Sequence, residues 1–459
     1  MEAITFGTDG WRATLEEFTT PRVRKVGQGV ASYLHDEGIA RPVAVGYDAR
    51  ESSRGFAEEL ARVLCANGFD VLLSDRDRPT PCIAHAIVDR DLAGALIVTA
   101  SHNPPEYNGV KFVPEDGAPA LPSVTDAIAN RLAEPDPLPE SEHGSIREVD
   151  FASAHAEAAL ERVDADLDLE GLTVAYDAMH GSGRGTTDDL LERAGATVVR
   201  RRCDRDPTFG GSPPEPAAEH LGELIETVES GEAELGIAND GDADRLAVVT
   251  PERGHLDENL FFAALYDYLL ESGSGPAVRT VSTTYLIDRV AEADGESVRE
   301  VPVGFKWVAE AMAETDALVG GEESGGFTVR GHVREKDGVL LALVAAAMHA
   351  DEPIDDRVDR LLETHGTIVQ DKTSVPCPDA EKGRALEALE DEIPDAVAGT
   401  AVEDVNTADG FKLLLADGSW LLVRPSGTEP VLRVYAEADD ESRLAELLAA
   451  GKELVDPLV

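Results

Sequence analysis

The sequence predicts an α/β fold, in which three α/β domains with mixed, largely parallel sheets precede a smaller C-terminal α+β domain. Strand-like and helix-like segments alternate through most of the chain, which is typical of βαβ units. Polar, proline-rich stretches interrupt the alternation, and the last ~90 residues replace it with hairpin signals. The chain of 459 residues is long enough for about three domains of roughly 150 residues, each with its own core.

The first block shows the alternation most clearly. "PVAVGYD" (42–48) is a short apolar strand, and "SSRGFAEELARVLCANG" (52–68) is a helix that we expect to begin on a serine cap and to end at glycine. The strand "DVLLSD", a helix near 81–90 and the strand "GALIV" (94–98) follow.

Two further blocks repeat this pattern without repeating the sequence. "LTVAYDAMHGSGRGTTDDLLERAGATVVRR" (172–201) predicts strand, glycine-rich loop, helix and strand. The third block runs from the helix "NLFFAALYDYLLESG" (259–273) to "KDGVLLALVAAAMHA" (336–350). The final segment contains "GFKLLLADGSWLLVRP" (410–425), which indicates a hairpin rather than a parallel crossover.

Three polar stretches mark the expected boundaries. They are "EPDPLPESEHGS" (134–145), the region of "VVTPERGHLDEN" and the region after "LLETHGTIVQD". The domains that we predict from them are 1–148, 149–253, 254–367 and 368–459.

The charge balance excludes two classes of partner. Forty basic and ninety acidic residues leave a net charge of −50, which repels nucleic acid and anionic lipid. The acidic residues are spread through amphipathic segments, so they do not indicate a disordered tail. Only eight lysines are present, and an acidic, lysine-poor surface is typical of halophilic proteins, whose salt-saturated cytoplasm screens self-repulsion.

The remaining bulk features predict a cytoplasmic protein. The N-terminus "MEAITFGTDGW" has no basic, apolar leader, and the longest apolar run, 339–348, is too short to span a bilayer. Cys65, Cys82, Cys203 and Cys377 form no CxxC pair and are expected to be small buried hydrophobes.

A polar loop follows the strand 94–98 and carries Ser101 and His102. The consecutive prolines 104 and 105 cannot continue a strand because they remove ladder donors. Taken alone the loop is equally a turn built from Ser, Asn and Pro. A Ser–His–Asp hydrolase is disfavoured, since there is no G-x-S-x-G elbow.

A second loop, "NDGDADRL" (239–246), predicts a metal site. Asp240, Asp242 and Asp244 lie between two apolar runs, and in an extended loop their period-two spacing would direct three carboxylates the same way. All-oxygen ligation suits Mg²⁺. A calcium-binding EF-hand is disfavoured because Arg245 and Pro251 stand at its glycine and glutamate positions.

Two more loops complete the set. "GGEESGG" (320–326) places glutamates beside glycines, where they could accept hydrogen bonds from sugar hydroxyls, although a β-turn explains it equally well. "RPSGTEPVLRVY" (424–435) offers backbone N–H groups, two hydroxyls and Arg424 to an anion, or is a proline-led hairpin turn.

Together the four loops closely resemble those of the α-D-phosphohexomutase superfamily, the phosphoglucomutases and phosphomannomutases, along essentially the whole chain. "TASHNP", "DGDADR", "GEESGG" and "RPSGTEP" carry the resemblance in order, and "FGTDGWR" (6–12) is similar to the family's opening motif. The resemblance implies four domains around a central cleft. It also implies that Ser101 is a phosphoserine whose phosphoryl oxygen joins the three aspartates on Mg²⁺.

The resemblance implies roles for other positions too. Arg12, His102, Lys111 and Arg245 would surround the reacting phosphoryl group. Glu322 and Ser324 would contact sugar hydroxyls, with Lys306, His332 and Lys336 in neighbouring substrate-binding motifs. Arg424, Ser426, Gly427 and Thr428 would bind the phosphate that does not react.

The implied reaction is the interconversion of glucose 1-phosphate and glucose 6-phosphate by two phosphoryl transfers. A hexose 1,6-bisphosphate is the intermediate and the activator. The loop motifs resemble those of phosphoglucomutases most. A phosphomannomutase or a dual-specificity enzyme stays open, and a phosphoglucosamine mutase is a weaker alternative. Some phosphomannomutases have a histidine where Gly326 stands, so the general acid–base residue is left open.

Two other classes of protein remain possible at this stage. A metal-dependent phosphatase would use the same aspartates and release inorganic phosphate. A non-catalytic sugar-phosphate sensor would bind its ligand without a phosphoserine, which the intact Ser101 and aspartates disfavour. The oligomeric state cannot be inferred from the sequence.

Overall fold

The computed structural model describes residues 4, 10–163, 167–427 and 429–459 of the chain. Four sheets follow one another in the chain order that the sequence predicts. Three belong to α/β layers and the last is antiparallel, which confirms the predicted fold class.

The first sheet has six strands in the order β1-β5-β4-β2-β3-β6. Its strands are β1 (Trp11–Thr14), β2 (Val43–Tyr47), β3 (Val71–Ser74), β4 (Gly94–Val98), β5 (Tyr107–Pro114) and β6 (Ile146–Val149). Its helices are α1 (Thr20–Asp36), α2 (Ser53–Ala66), α3 (Thr80–Asp89) and α4 (Pro122–Ala129). Strands β4, β2, β3 and β6 are parallel to one another, whereas β5 is antiparallel to β4.

The expected serine cap of α2 does not form. Ser52 has helical backbone angles and makes no capping hydrogen bond with its side chain. Its hydroxyl instead accepts a hydrogen bond from the Asn108 side-chain amide at 2.9 Å, while Ser53 donates to Asp48 at 2.5 Å. The Ser52 side chain therefore makes a tertiary hydrogen bond to β5 instead of a local helix cap.

The second sheet has the order β11-β10-β9-β7-β8. Its strands are β7 (Thr173–Asp177), β8 (Thr197–Arg201), β9 (Leu235–Asn239), β10 (Leu246–Thr250) and β11 (Gly254–His255), with helices α5 (Ala152–Val163), α6 (Thr187–Arg193) and α7 (Gly222–Glu229). Strands β8, β7 and β9 are parallel, and β9 turns back into the antiparallel β10.

The third sheet has the order β13-β12-β14-β15. Its strands are β12 (Ala277–Thr280), β13 (Val298–Val301), β14 (Val319–Gly321) and β15 (Phe327–Val329). Its helices are α8 (Glu258–Ser272), α9 (Leu286–Ala293), α10 (Phe305–Thr315), α11 (Gly338–Asp351) and α12 (Ile354–His365). The β14–β15 pair is antiparallel, so all three α/β sheets end a parallel run in an antiparallel turn.

The fourth sheet is antiparallel, in the order β16-β21-β20-β19-β18-β17. It contains β16 (Val369–Pro376), β17 (Ala396–Val397), β18 (Thr400–Asn406), β19 (Phe411–Leu415), β20 (Trp420–Pro425) and β21 (Val431–Ala438), covered by α13 (Asp379–Asp391) and α14 (Glu441–Val455). Short 3-10 turns lie at Glu140–Glu142, Phe209–Gly211, Ala218–His220 and Asp456–Leu458.

Helix α11 is the structural centre of the second and third sheets. Its residues from Gly338 to Met348 are all buried, and it packs against α5, α6, β9 and β10 as well as α8 and β15. One apolar core therefore spans both sheets. Among the described residues, no helix is long and apolar enough to cross a bilayer, and the run 339–348 is a core helix.

Candidate active site

Three of the four polar loops occupy the same topological position. Residues 99–106 connect β4 to β5, residues 240–245 connect β9 to β10, and residues 322–326 connect β14 to β15. Each loop thus stands at the carboxyl end of a parallel strand, where α/β sheets bind their ligands.

Ser101 is held in the first of these loops in an unusual backbone conformation. Its φ angle is 49°, in the left-handed region, and the residue is 1% exposed. Its hydroxyl donates to Asp240 Oδ2 at 2.7 Å and lies 3.3 Å from His102 Nδ1. Left-handed backbone at a non-glycine residue costs about 1–3 kcal/mol and clusters at functional sites.

Arg50, which the sequence analysis did not single out, holds the serine loop in place. Its buried guanidinium donates to the backbone carbonyls of Ser101 (2.8 Å), Asn103 (2.6 Å), Pro104 (2.7 Å) and Tyr107 (3.2 Å). Its Nε is paired with Asp48 at 3.0 Å. Arg50 therefore anchors the serine loop through its backbone carbonyls. The available signal was an arginine just after strand β2, in "YDARESS".

The three aspartates meet in a buried cluster, but not in the extended loop that the sequence analysis assumed. Residues 241–243 form a turn, and Ala243 has a φ of 54°. The turn allows Asp240 Oδ1 to accept the backbone N–H groups of Asp244 and Arg245, at 3.1 and 3.2 Å. One carboxylate oxygen from each aspartate lies within 4.8 Å of the others. Turn geometry, rather than period-two alternation, brings them together.

Positive charge from two other segments surrounds the cluster. Lys111 of β5 places its Nζ 3.3 Å from both Asp242 and Asp244, and Lys336 places its Nζ 3.2 Å from Asp244. Burial alone would raise the pKa of Asp244, but Lys336, Lys111 and Arg245 outweigh it and lower that pKa. Burial and the neighbouring carboxylates raise the pKa of Asp240 well above its ordinary value.

The cluster fits a hard cation. Asp242 Oδ1 and Asp244 Oδ1 are buried, and in the described part of the chain neither accepts a hydrogen bond. Thr80 donates to the other oxygen of Asp242 at 2.7 Å. Buried carboxylate oxygens without a donor are costly unless a cation satisfies them, and an all-oxygen donor set suits Mg²⁺.

His102 and Arg12 lie beside the serine. The positive charge of Arg245, burial and the charge of Arg12 lower the pKa of His102 to about 2. The imidazole is therefore neutral at physiological pH. Arg12 donates to the side chain of Asn103 in the same loop, at 3.3 Å. Residues 5–9 of the opening motif lie outside the described residues.

The third loop approaches the aspartate cluster through Lys336. Glu322 is buried, accepts the Gly304 N–H at 3.0 Å, and its charge acts on Arg245. A Cβ atom on Gly326 would lie 2.4 Å from Lys336 Cδ. Glycine at this position therefore leaves room for the lysine that reaches Asp244. Ser324 is exposed on the same loop.

Two further sequence-predicted residues lie next to other groups. Lys306 lies in the first turn of α10 and lines a cavity of about 260 Å³ with Asp116, Glu310 and Arg334. His332 points its Nε2 at Asp337, 2.7 Å away, and packs against two other histidines.

The fourth loop forms a second group on the antiparallel sheet. Arg424 Nε is paired with Asp409 at 2.9 Å, and Asp409 also accepts the Val303 N–H at 3.2 Å. Lys382 donates to the carbonyls of Ser426 and Glu429, both at 2.6 Å. Asp409 and Lys382 were not anticipated from the sequence. Gly427 is exposed, and Thr428 lies outside the described residues.

Four family models match the chain in order. They are described as phosphoglucomutase/phosphomannomutase alpha/beta/alpha domain I (residues 3–138), domain II (153–254), domain III (257–365) and the C-terminal domain (373–453).

Individual relatives match over nearly their whole length. A probable phosphoglucosamine mutase of Methanothermobacter thermautotrophicus is 34% identical over 444 residues, covering 95% of this chain and 94% of that protein. A phosphoglucomutase/phosphomannomutase of Thermococcus kodakarensis is 33% identical over 461 residues, covering 98% of each. The crystal structure of a putative phosphomannomutase from Thermus thermophilus superposes with a TM-score of 0.87 at 29% identity, covering 99% of each chain.

Proposed function

We propose, from the premise that this chain belongs to the phosphoglucomutase/phosphomannomutase family of the α-D-phosphohexomutase superfamily, that it interconverts glucose 1-phosphate and glucose 6-phosphate. Ser101 carries the phosphoryl group, and a glucose 1,6-bisphosphate is the intermediate. The observation that carries the proposal is the buried Ser101 hydroxyl, which lies 2.7 Å from Asp240 in a cluster of three aspartates.

Each transfer exchanges one P–O bond for another. In the first, the bond from phosphorus to Ser101 Oγ breaks and a bond to the free sugar hydroxyl forms. The bisphosphate then reorients, and in the second transfer its other phosphate returns to Ser101. Mg²⁺, held by Asp240, Asp242 and Asp244 with a phosphoserine oxygen, would neutralise charge on the transferring group.

The protein's own side chains supply the rest of the chemistry. Lys111, Lys336 and Arg245 provide positive charge around the reacting phosphoryl group. The proton that the attacking sugar hydroxyl loses in the first transfer ends on the leaving Ser101 oxygen, and the second transfer reverses this movement. His102, whose Nδ1 lies 3.3 Å from Ser101 Oγ, is proposed to orient that oxygen. Burial of Ser101 protects the phosphoserine from water.

Sugar selection is assigned to the third loop and phosphate binding to the fourth. The Glu322 carboxylate and Ser324 are proposed to contact the sugar hydroxyls, with Lys306 in a supporting position. Arg424, Ser426, Gly427 and Thr428 are proposed to bind the phosphate that does not react. Since the two phosphates exchange positions, this site binds each of them in turn.

Coupled assays on three sugars test the substrate. We expect kcat/KM to fall in the order glucose 1-phosphate, mannose 1-phosphate, glucosamine 1-phosphate, and catalytic amounts of glucose 1,6-bisphosphate to activate unphosphorylated enzyme. A higher value with glucosamine 1-phosphate would contradict the glucose assignment while leaving the mutase assignment intact. Stoichiometric release of inorganic phosphate would instead make the protein a phosphatase.

We also propose that the enzyme works in a salt-rich cytoplasm. The net charge of −50 makes the acidic side chains repel one another. Salt screens this repulsion, because the Debye length falls from about 30 Å at 0.01 M salt to about 3 Å at 1 M. The melting temperature should therefore rise steeply with KCl. A melting temperature that does not change with KCl across that range would contradict the adaptation to salt.

A further inference from the structure

A group of histidines outside the proposed active site converges on one carboxylate oxygen. His155 of α5 and His332, in the loop after β15, place their Nε2 atoms 2.6 and 2.7 Å from Asp337 Oδ2. All three side chains are 0–2% exposed. One ligand atom from each lies within 4.8 Å of the others, and the two imidazole centroids are 5.3 Å apart.

A third imidazole, that of His85 in α3, completes the group. Its ring centroid lies 5.6 Å from that of His155 and 5.5 Å from that of His332. Its Nδ1 is buried and, within the described ranges, has no hydrogen-bond partner. A buried imidazole nitrogen without a hydrogen-bond partner is a candidate ligand for a metal ion.

Asp337 is oriented as a metal-ligating carboxylate usually is. Its Oδ1 accepts the backbone N–H groups of Val339 and Leu340, at 3.0 and 2.8 Å, where it caps helix α11. The cap fixes the carboxylate and directs Oδ2 at the two imidazoles. Hydrogen bonds of this kind behind a ligand set its orientation in metal sites.

The group is reached from solvent through a cavity of about 460 Å³. His85 and His332 line the cavity, and Asp89, Glu115 and Asp116 stand around it. Arg334 also lines it and is paired with Asp116 at 2.9 Å. A carboxylate-rich entrance attracts cations, so the group has both donor atoms and an entry path.

We propose that His85, His155, His332 and Asp337 bind one transition-metal ion of the Zn²⁺ class. One ligand atom each from His155, His332 and Asp337 lies within 4.8 Å of the others, and His85 is the imidazole beside them that would supply a fourth ligand. Three imidazole nitrogens and one carboxylate oxygen make a donor set that Zn²⁺ accepts. Imidazole suits Zn²⁺, Ni²⁺ and Cu²⁺, whereas Mg²⁺ prefers oxygen ligands. The chain thus separates two metal chemistries, with hard ions at the aspartate cluster and imidazole-binding ions here.

The position of the four ligands indicates what the ion would do. His85 lies on α3 of the first sheet, His155 lies on α5, and His332 and Asp337 lie in the segment between β15 and α11. One bound ion would join these three segments and should raise the melting temperature, because ligands that bind the folded state stabilise it. Binding would also displace the protons that the two Nε2 atoms donate to Asp337, so affinity should fall as the pH falls.

Zinc titration of the EDTA-stripped full chain in excess Mg²⁺ tests the proposal. We expect one Zn²⁺ per chain after desalting, measured by elemental analysis, and a higher melting temperature. Bound Co²⁺ should give visible d–d absorption. The free Cys82 lies beside His155, and the absence of a near-ultraviolet thiolate band would show that Cys82 is not a ligand. Wild-type protein that retains no Zn²⁺ under these conditions would overturn the proposal, and the His155–Asp337 pair would then be a structural ion pair alone.

Variants identify the ligands. His155→Gln should weaken Zn²⁺ binding at least about tenfold, and His85→Phe, on a half-buried helix position, should do the same if His155→Gln does not fold. Two control variants should still bind one Zn²⁺ per chain. They are His35→Gln, at an exposed position, and Asp242→Asn, in the aspartate cluster. Zinc that remains at wild-type affinity in His85→Phe, or that disappears in Asp242→Asn, would overturn the assignment.

Discussion

The two ends of the proposed substrate site are built differently. At the reacting end, Ser101, Lys111 and the three aspartates are 0–6% exposed, and hydrogen bonds or ion pairs join four separate segments. At the phosphate loop, Gly427 and Glu429 are exposed, and Arg424 is anchored through Asp409. The reacting end is thus buried and joined across segments, whereas the fourth loop contains exposed residues.

The domains that carry the two ends of the site are also joined to their neighbours in different ways. The second and third sheets share one apolar core around α11, but the fourth sheet meets the third through a small apolar cluster of Val281, Trp420, Leu422 and Tyr435. Beside that cluster the buried Lys412 is paired with Glu300 at 2.9 Å and lies over the rings of Tyr285 and Trp420. Burial and Arg279 lower the pKa of Lys412 to about 8. A smaller, more polar junction between domains allows more relative motion than a shared apolar core does.

Ser101→Ala should have the largest effect. Turnover should fall at least about a thousandfold, since the nucleophile that carries the phosphoryl group is lost. The melting temperature should stay close to that of the wild type, and intact mass should show one phosphate on active wild-type enzyme and none on the variant. The exposed Ser153→Ala is the matched control. Near-normal turnover in Ser101→Ala would place the phosphoryl carrier elsewhere.

Asp242→Asn should act on the metal requirement of the reacting end. Removal of one carboxylate from a hard-cation site should raise the Mg²⁺ concentration for half-maximal rate by about a hundredfold or more. The exposed Asp439→Asn should leave that concentration unchanged. Full activity of wild-type enzyme in excess EDTA would contradict the metal assignment.

Arg50→Lys should show how far the serine loop depends on its guanidinium. Lysine keeps the charge but cannot serve four carbonyls and Asp48 together, so the unfolding free energy should fall by about 1–3 kcal/mol. Displacement of Ser101 should lower kcat by about tenfold to a hundredfold. A variant with wild-type kcat would mean that the prolines hold the loop without Arg50.

The residues that the sequence analysis missed have a common physical reason. The four loops could be found because their chemistry is concentrated in short, ordered motifs, and strand and helix bounds such as 43–47 against the expected 42–48 follow from local periodicity. Arg50, Thr80 and Lys382 act through tertiary hydrogen bonds to backbone or to loops far away in sequence. The local sequence does not show the partners of those contacts, even where a residue such as Arg50 stands at a notable position. For His332 the sequence motif suggested a role at the sugar. In the structure its ring packs against those of His85 and His155, which are distant in sequence.

Arg424→Ala tests whether the fourth loop acts on binding alone. Loss of a charge-assisted contact is worth about 1.5–3 kcal/mol, so KM for glucose 1-phosphate and for glucose 1,6-bisphosphate should each rise tenfold or more. Phosphorylation of Ser101 should persist because the reacting end is unchanged. Arg443→Ala, on α14 of the same domain, is the control. An unchanged KM would place the phosphate site elsewhere.

Asp409→Asn should have the smallest effect and should sharpen the comparison. Asp409 is proposed to act by positioning Arg424, to which it is paired at 2.9 Å in a partly exposed setting. Ion pairs of this kind are worth about 0–1 kcal/mol, so KM should rise by up to about fivefold with kcat unchanged. In the Asp409→Asn/Arg424→Ala double variant the KM should match that of Arg424→Ala alone, because no guanidinium is left to orient. Additive effects would show that Asp409 contributes through another contact, and its hydrogen bond from Val303 N–H at the junction with the third sheet is then the one to test.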